Sequence, residues 1–156
     1  MRAAAVISGA CLCGAVEIET DVPVFWAWHD HSAASRRAHG AAYATYVGCW
    51  ASKVRVVRGA GAIARFEEAG GNVRSFCSGC GTPLMYTRTR SPKMVNLPRA
   101  LFAARTGREA KYHIAIGELQ DWAYLGAPVV PLKGYPGVTI ARARKPARDA
   151  LFEPDL

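Results

Sequence analysis

Four of the five cysteines in this chain stand in two close pairs, Cys11-Leu12-Cys13 and Cys77-Ser78-Gly79-Cys80. A C-x-C pair sits on one tight bend and a C-x-x-C pair on one turn, where Gly79 and Gly81 give the backbone freedom. Four thiolates that converge tetrahedrally are the donor set Zn²⁺ prefers, at about 2.3 Å each. A site closed by four sulfurs has no open position, so it is structural and not catalytic. Disulfides fit the pattern poorly: such close pairs are weak staples, the cysteine count is odd, and no secretory signal is recognisable. A redox C-x-x-C leads into a helix, whereas Pro83-Leu84-Met85-Tyr86 reads as a strand. Cys49 lies in an apolar run and reads as a buried small hydrophobe.

A second group of chemistry-bearing residues falls in 29–40, which carries His29, Asp30, His31, Ser32, Ser35, Arg36, Arg37 and His39. His29 and His31 are two apart and point the same way on an extended strand. With His39 they form a candidate transition-metal site; the plainer reading is loop histidines bonded to solvent or backbone. His31 is the best acid/base candidate, because its unperturbed pKa lies near neutrality. Ser32 or Ser35 serves as a nucleophile only with a base in hydrogen-bond reach. The guanidinium forks of Arg36 and Arg37 suit a carboxylate.

The elements that must position these groups read mainly as strands. From Cys13 to Thr20, Val16 and Ile18 alternate with polar neighbours, as in a half-buried strand. Val24–Trp28, Ala41–Trp50 and Val54–Arg58 follow as strands, and 29–40 reads as a loop with a short helical turn. Ile63–Glu67 and Val73–Phe76 form a hairpin around Gly70-Gly71. Leu84–Thr87, Lys93–Leu97 and Tyr112–Ile116 are further strands, and Glu118–Ala123 reads as one short helix. The Pro- and Gly-rich stretch 126–137 wraps the surface. Residues 1–140 then make a single zinc-binding domain, with 141–156 a mobile tail.

Composition narrows the function classes. The chain has 156 residues, 51% of them hydrophobic, which suffices for one core, and no apolar run approaches a membrane span. The apolar start, Met1 to Ile7, is too short for a signal peptide, so a reduced, cytoplasmic protein is expected. The net charge of +8 favours anionic partners. Its basic residues are dispersed, so nucleic acid ranks last among them.

Two stretches carry a family resemblance. Gly9-Ala10-Cys11-Leu12-Cys13-Gly14-Ala15-Val16 resembles the N-terminal signature of the glutathione-dependent formaldehyde-activating family, which shares its domain with centromere protein V. Arg74-Ser75-Phe76-Cys77-Ser78-Gly79-Cys80-Gly81-Thr82-Pro83-Leu84 resembles the second signature, and Lys111-Tyr112-His113-Ile114 with Trp122 the closing segment. The resemblance implies a β-tent fold of several short antiparallel sheets, with Cys11, Cys13, Cys77 and Cys80 as structural zinc ligands. It also implies a second, catalytic zinc, held by three cysteines in a Cys-His-Cys-x-x-Cys motif. Aligned on Arg36-Arg37-Ala38-His39-Gly40-Ala41, those cysteine positions hold Asp30, Ser32 and Ser35, while His31 keeps its match. A serine hydroxyl is a poor zinc ligand beside a thiolate.

Three accounts of function stand. By resemblance the chain is a carbon–sulfur lyase-type enzyme acting on thiol–aldehyde adducts such as that of glutathione and formaldehyde. Alternatively it is a non-catalytic, zinc-stabilised binding module whose aromatic surface serves a partner or a homodimer. Nucleic-acid binding rests on charge alone.

Overall fold

A computed structural model describes residues 5–123 and 129–141. Twelve strands dominate these residues: β1 (Ala5–Ala10), β2 (Glu17–Val22), β3 (Trp26–Asp30), β4 (Ala44–Trp50), β5 (Val54–Arg58), β6 (Ile63–Glu67), β7 (Val73–Cys77), β8 (Pro83–Thr87), β9 (Met94–Pro98), β10 (Tyr112–Ile114), β11 (Val129–Pro131) and β12 (Val138–Ala141). One α-helix, α1 (Ala33–His39), and four 3-10 turns complete them. The mainly β expectation holds. No helix among the described residues is long and apolar enough to cross a membrane.

The strands form two sheets. One has three strands in the order β1-β2-β5, and the other nine in the order β11-β12-β10-β3-β4-β9-β8-β7-β6. All pairings are antiparallel except β10 on β3, which runs parallel and sets His113 beside His29. The core lies between the sheets. Ile7, Val16 and Ile18 from the small sheet and its approach pack with Ala27, Val47, Cys49 and Leu97 from the large one. Cys49 is 2% exposed in this cluster, as its apolar surroundings predict.

The opposite face of the large sheet is aromatic. Side chains alternate along a strand, so register partners share a face. Trp28 pairs with Tyr46 and Tyr112, Trp26 with Gly48, Gly48 with Asn96, and Asn96 with Tyr86. Trp26 stacks on Tyr112 with ring centres 4.8 Å apart. Gly48 makes room for this floor: a Cβ there would lie 3.0 Å from Trp28 Cζ3.

Several elements depart from the sequence reading. Ala5 to Ile7 of the apolar start belong to strand β1, which pairs with β2 from Ala5 to Ala10. Residues 11–16 form a bend, and the strand expected from Cys13 begins at Glu17. The histidine-bearing loop contains the two-turn helix α1. Ser32 caps it by accepting from Ser35 N at 3.3 Å, and Gly40 ends it in the left-handed region. The helix expected over Glu118–Ala123 does not form; Ile116–Glu118 makes one 3-10 turn instead. Glu118 O accepts from Arg36 Nη1 at 2.6 Å and Gln120 Nε2 at 2.9 Å, so it does not start a helical ladder. The surface wrap expected over 126–137 contains β11 where it is described, and residues 142–156, assigned to the tail, lie outside the described residues.

Candidate metal centre and the cleft beside Asp30

The bend after β1 carries Cys11 and Cys13, and the turn after β7 carries Cys77 and Cys80. The first bend closes through Gly14 N donating to Cys11 O at 2.9 Å, and the second through Gly81 N donating to Cys77 O at 2.8 Å. Gly81 has φ +73, a left-handed conformation that suits glycine, whereas Gly79 does not enter that region. Leu12 N donates to Thr82 Oγ1 at 3.0 Å and ties the two bends together.

All four sulfurs lie within 4.8 Å of one another, and none is in a disulfide. Cys11 Sγ is 3.5 Å from Cys13 Sγ, which is 3.7 Å from Cys77 Sγ. A tetrahedron with metal–sulfur bonds of about 2.3 Å has edges of about 3.8 Å, so the donor set fits one such ion. Sulfur-directed donors are in place as well. Val16 N donates to Cys11 Sγ at 3.2 Å, and Cys80 Sγ lies 3.1 Å from Thr82 Oγ1. The Thr82 hydroxyl and amide pull Cys80 down to about 5. Cys13 moves the other way: despite its bond from the Ala15 amide, the neighbouring thiols push it up to about 11. All four can be thiolates at this spacing only with a cation among them, and the cluster could hold one such ion. Among the described residues this is the one group of three or more histidine, cysteine or acidic side chains with metal-binding spacing.

The positions aligned with the second zinc lie at the end of β3 and the start of α1. Asp30 is 5% exposed and Ser35 fully buried. Asp30 Oδ1 accepts from Ser32 N at 2.9 Å, and Asp30 Oδ2 accepts from Ser35 Oγ at 2.8 Å. Both carboxylate oxygens are thus engaged, and Ser32 Oγ is occupied as the helix cap. One carboxylate and two hydroxyls, held to each other in this way, lack the free thiolates a zinc site of the expected kind requires.

Behind Ser35 lies a polar network that the sequence reading missed. Arg74 Nη2 approaches Ser35 Oγ at 3.4 Å and Nη1 donates to Tyr46 Oη at 3.0 Å. Arg74 Nε donates to Glu68 Oε1 at 2.5 Å, and its guanidinium stacks 4.1 Å from the Tyr86 ring centre. Tyr46 Oη also meets His39 Nε2 at 2.9 Å. Burial raises the Tyr46 pKa, while burial and then the Arg74 charge lower that of His39.

The histidines separate into two places. His39 belongs to this network. His31 Nε2 instead meets His113 Nδ1 at 2.9 Å, with the rings stacked, and His29 Nδ1 meets Thr45 Oγ1 at 2.9 Å. The structure therefore groups His29 and His31 with His113, not with His39. Burial, then the neighbouring imidazoles, lowers His113 to about 4, and burial lowers His29 and His31. Arg36 holds backbone, donating Nη1 to His31 O and Glu118 O, while Arg37 is exposed on α1.

Asp30 and Ser32 line one end of a cleft of about 800 Å³ that runs along the aromatic face. Its wall includes Phe25, Trp26, Trp28 and Tyr86, with Arg88, Arg90 and Asn96 as polar groups.

The family model for the glutathione-dependent formaldehyde-activating enzyme matches residues 6–118. A crystal structure of a Rhodobacter sphaeroides protein, a structural-genomics target, is similar, with a TM-score of 0.56 and 27% identity over 64% of this chain and 90% of that one. No curated protein sequence matches. With both cysteine pairs inside the matched span, the chain belongs to the glutathione-dependent formaldehyde-activating enzyme family.

Proposed function

We propose that this is a one-zinc member of the family, in which Cys11, Cys13, Cys77 and Cys80 hold a structural Zn²⁺ and the cleft beside Asp30 binds a small anionic thiol or thiol adduct. The observation that carries this reading is the closed pair of bonds on Asp30, whose carboxylate oxygens are taken by Ser32 N and Ser35 Oγ. A second metal would have to displace both bonds and would gain two weak hydroxyl ligands in return. The structural ion would tie β1 to β7 and sustain the core without taking part in chemistry. The cleft favours anions, because Arg88 and Arg90 outnumber its one acidic residue, Asp30.

Carbon–sulfur lyase-type activity is the second reading, and one observation favours it. Tyr46 Oη meets the His39 imidazole, so a proton can pass between these two groups, and Arg74 donates to Tyr46 Oη beside Ser35 Oγ. Against it, Ser35 is 0% and Tyr46 1% exposed, so a bound substrate reaches neither hydroxyl without movement. The two readings separate in one experiment on zinc-loaded protein: calorimetric titration with glutathione and its formaldehyde adduct, alongside an assay of adduct turnover. Binding without turnover is expected. Turnover abolished by Ser35→Ala would establish the lyase, and no binding at millimolar ligand would overturn the adduct reading.

A further inference from the structure

We infer that the cleft is built for a small carboxylate with a flat apolar body, anchored by Arg88 and laid along the aromatic wall of Trp26 and Tyr86. This rests on the proposal that the cleft is a ligand site and narrows what that ligand is. Two observations point to it, one about charge and one about shape.

The charge observation is Arg88. The other half-buried arginines have partners: Arg74 has Glu68, Arg55 has Asp21, and Arg36 and Arg99 donate to backbone carbonyls. Among the described residues no carboxylate lies within ion-pair distance of Arg88 or Arg90. The Arg88 side chain is half-buried, and its Nε has no hydrogen-bond partner. Burial, and next the Arg90 charge, lower its pKa. A desolvated guanidinium without an anion is an uncompensated charge, and a carboxylate matches its fork. Arg88 Cζ lies 5.8 Å from the Trp28 ring centre, and Trp28 Nε1 is likewise buried without a partner. Asp30, the acidic residue of the lining, acts on Arg88 only from beyond ion-pair distance, and both its oxygens already accept hydrogen bonds.

The shape observation is the wall. Trp26, Trp28 and Tyr86 share one face of the sheet, and Met94 and Ile114 extend the apolar surface. Gly48 leaves the room that the Trp28 ring occupies, since a Cβ there would lie 3.0 Å from Cζ3. Flat π surfaces bury flat apolar ligands best.

The test uses 2-naphthoate as carboxylate probe and 2-naphthalenemethanol as its neutral counterpart, titrated into the zinc-loaded full chain by calorimetry and tryptophan fluorescence. Naphthoate is expected to bind about tenfold or more tighter than the alcohol. Arg88→Gln should weaken naphthoate by a similar factor and leave the alcohol unchanged, with the unfolding temperature measured to confirm an intact fold. Arg65→Gln, exposed on β6 and outside the cleft lining, should change neither. Equal binding of acid and alcohol, or full naphthoate affinity in a folded Arg88→Gln protein, would overturn the inference. Adduct binding without naphthoate binding sinks this inference alone. Naphthoate binding without adduct binding sinks only the adduct reading, and binding of neither sinks both.

Discussion

Ser35→Ala removes the donor on Asp30 Oδ2 while leaving the rest of the site in place. The bond is 2.8 Å long, Ser35 is fully buried, and Asp30 is 5% exposed, so water does not replace the hydroxyl. Hydrogen bonds to charged groups contribute about 1.5–3 kcal/mol. Asp30 keeps its bond from Ser32 N, and the approach of Arg74 Nη2 to the deleted hydroxyl is long, at 3.4 Å. The expected cost is therefore about 2 kcal/mol, in the lower half of that range. For a domain of this size that is a fall of about 4–8 °C in Tm. Thermal and urea unfolding of zinc-loaded protein at pH 7 would measure it, with metal content confirmed equal in both proteins. A loss below about 0.5 kcal/mol would refute the claim that this network holds the site closed.

Three further perturbations follow from the same geometry. Cys77→Ser should lose the bound metal and unfold, because a structural zinc contributes about 10 kcal/mol and domain stability is of that order; circular dichroism with elemental analysis would show both. Stability should fall as the pH drops from about 6.5 towards 4: folded His113 titrates at about 4 against an ordinary value of 6.5, so the unfolded chain binds the extra proton, and His113→Gln should flatten that slope in pH-dependent urea melts. Gly48→Val should drive Trp28 off the floor, since even a Cβ meets its ring at 3.0 Å; a shifted tryptophan emission and about 1–3 kcal/mol of lost stability are expected.

What the sequence made legible was what local spacing encodes. Cys11, Cys13, Cys77 and Cys80 were readable because two short spacings each fix a turn, and the structure brings their sulfurs together. The β6–β7 hairpin was readable from its Gly70-Gly71 turn between apolar runs. Helix α1 was legible only as a short helical turn in a loop, because Ala33–His39 has no apolar period. Its ends are set by the Ser32 cap and Gly40, with Arg36 holding the carbonyls of His31 and Glu118. His113 could not be joined to His31 from the sequence, since the parallel pairing of β10 with β3 spans most of the domain. Arg74 and Arg88 looked like two more charges on a basic chain. Only the fold distinguishes them, one against Tyr46 and Ser35, the other over Trp28.

The central claim is that the four cysteines hold the chain's single metal and that Asp30, Ser32 and Ser35 hold one another instead. Elemental mass spectrometry of protein purified without a histidine tag, expressed as metal per chain, tests it most directly. One zinc per chain is expected, lost together with the fold in Cys77→Ser and retained in Ser35→Ala. Two metals per chain, with one lost in Asp30→Asn or His31→Ala, would contradict the claim.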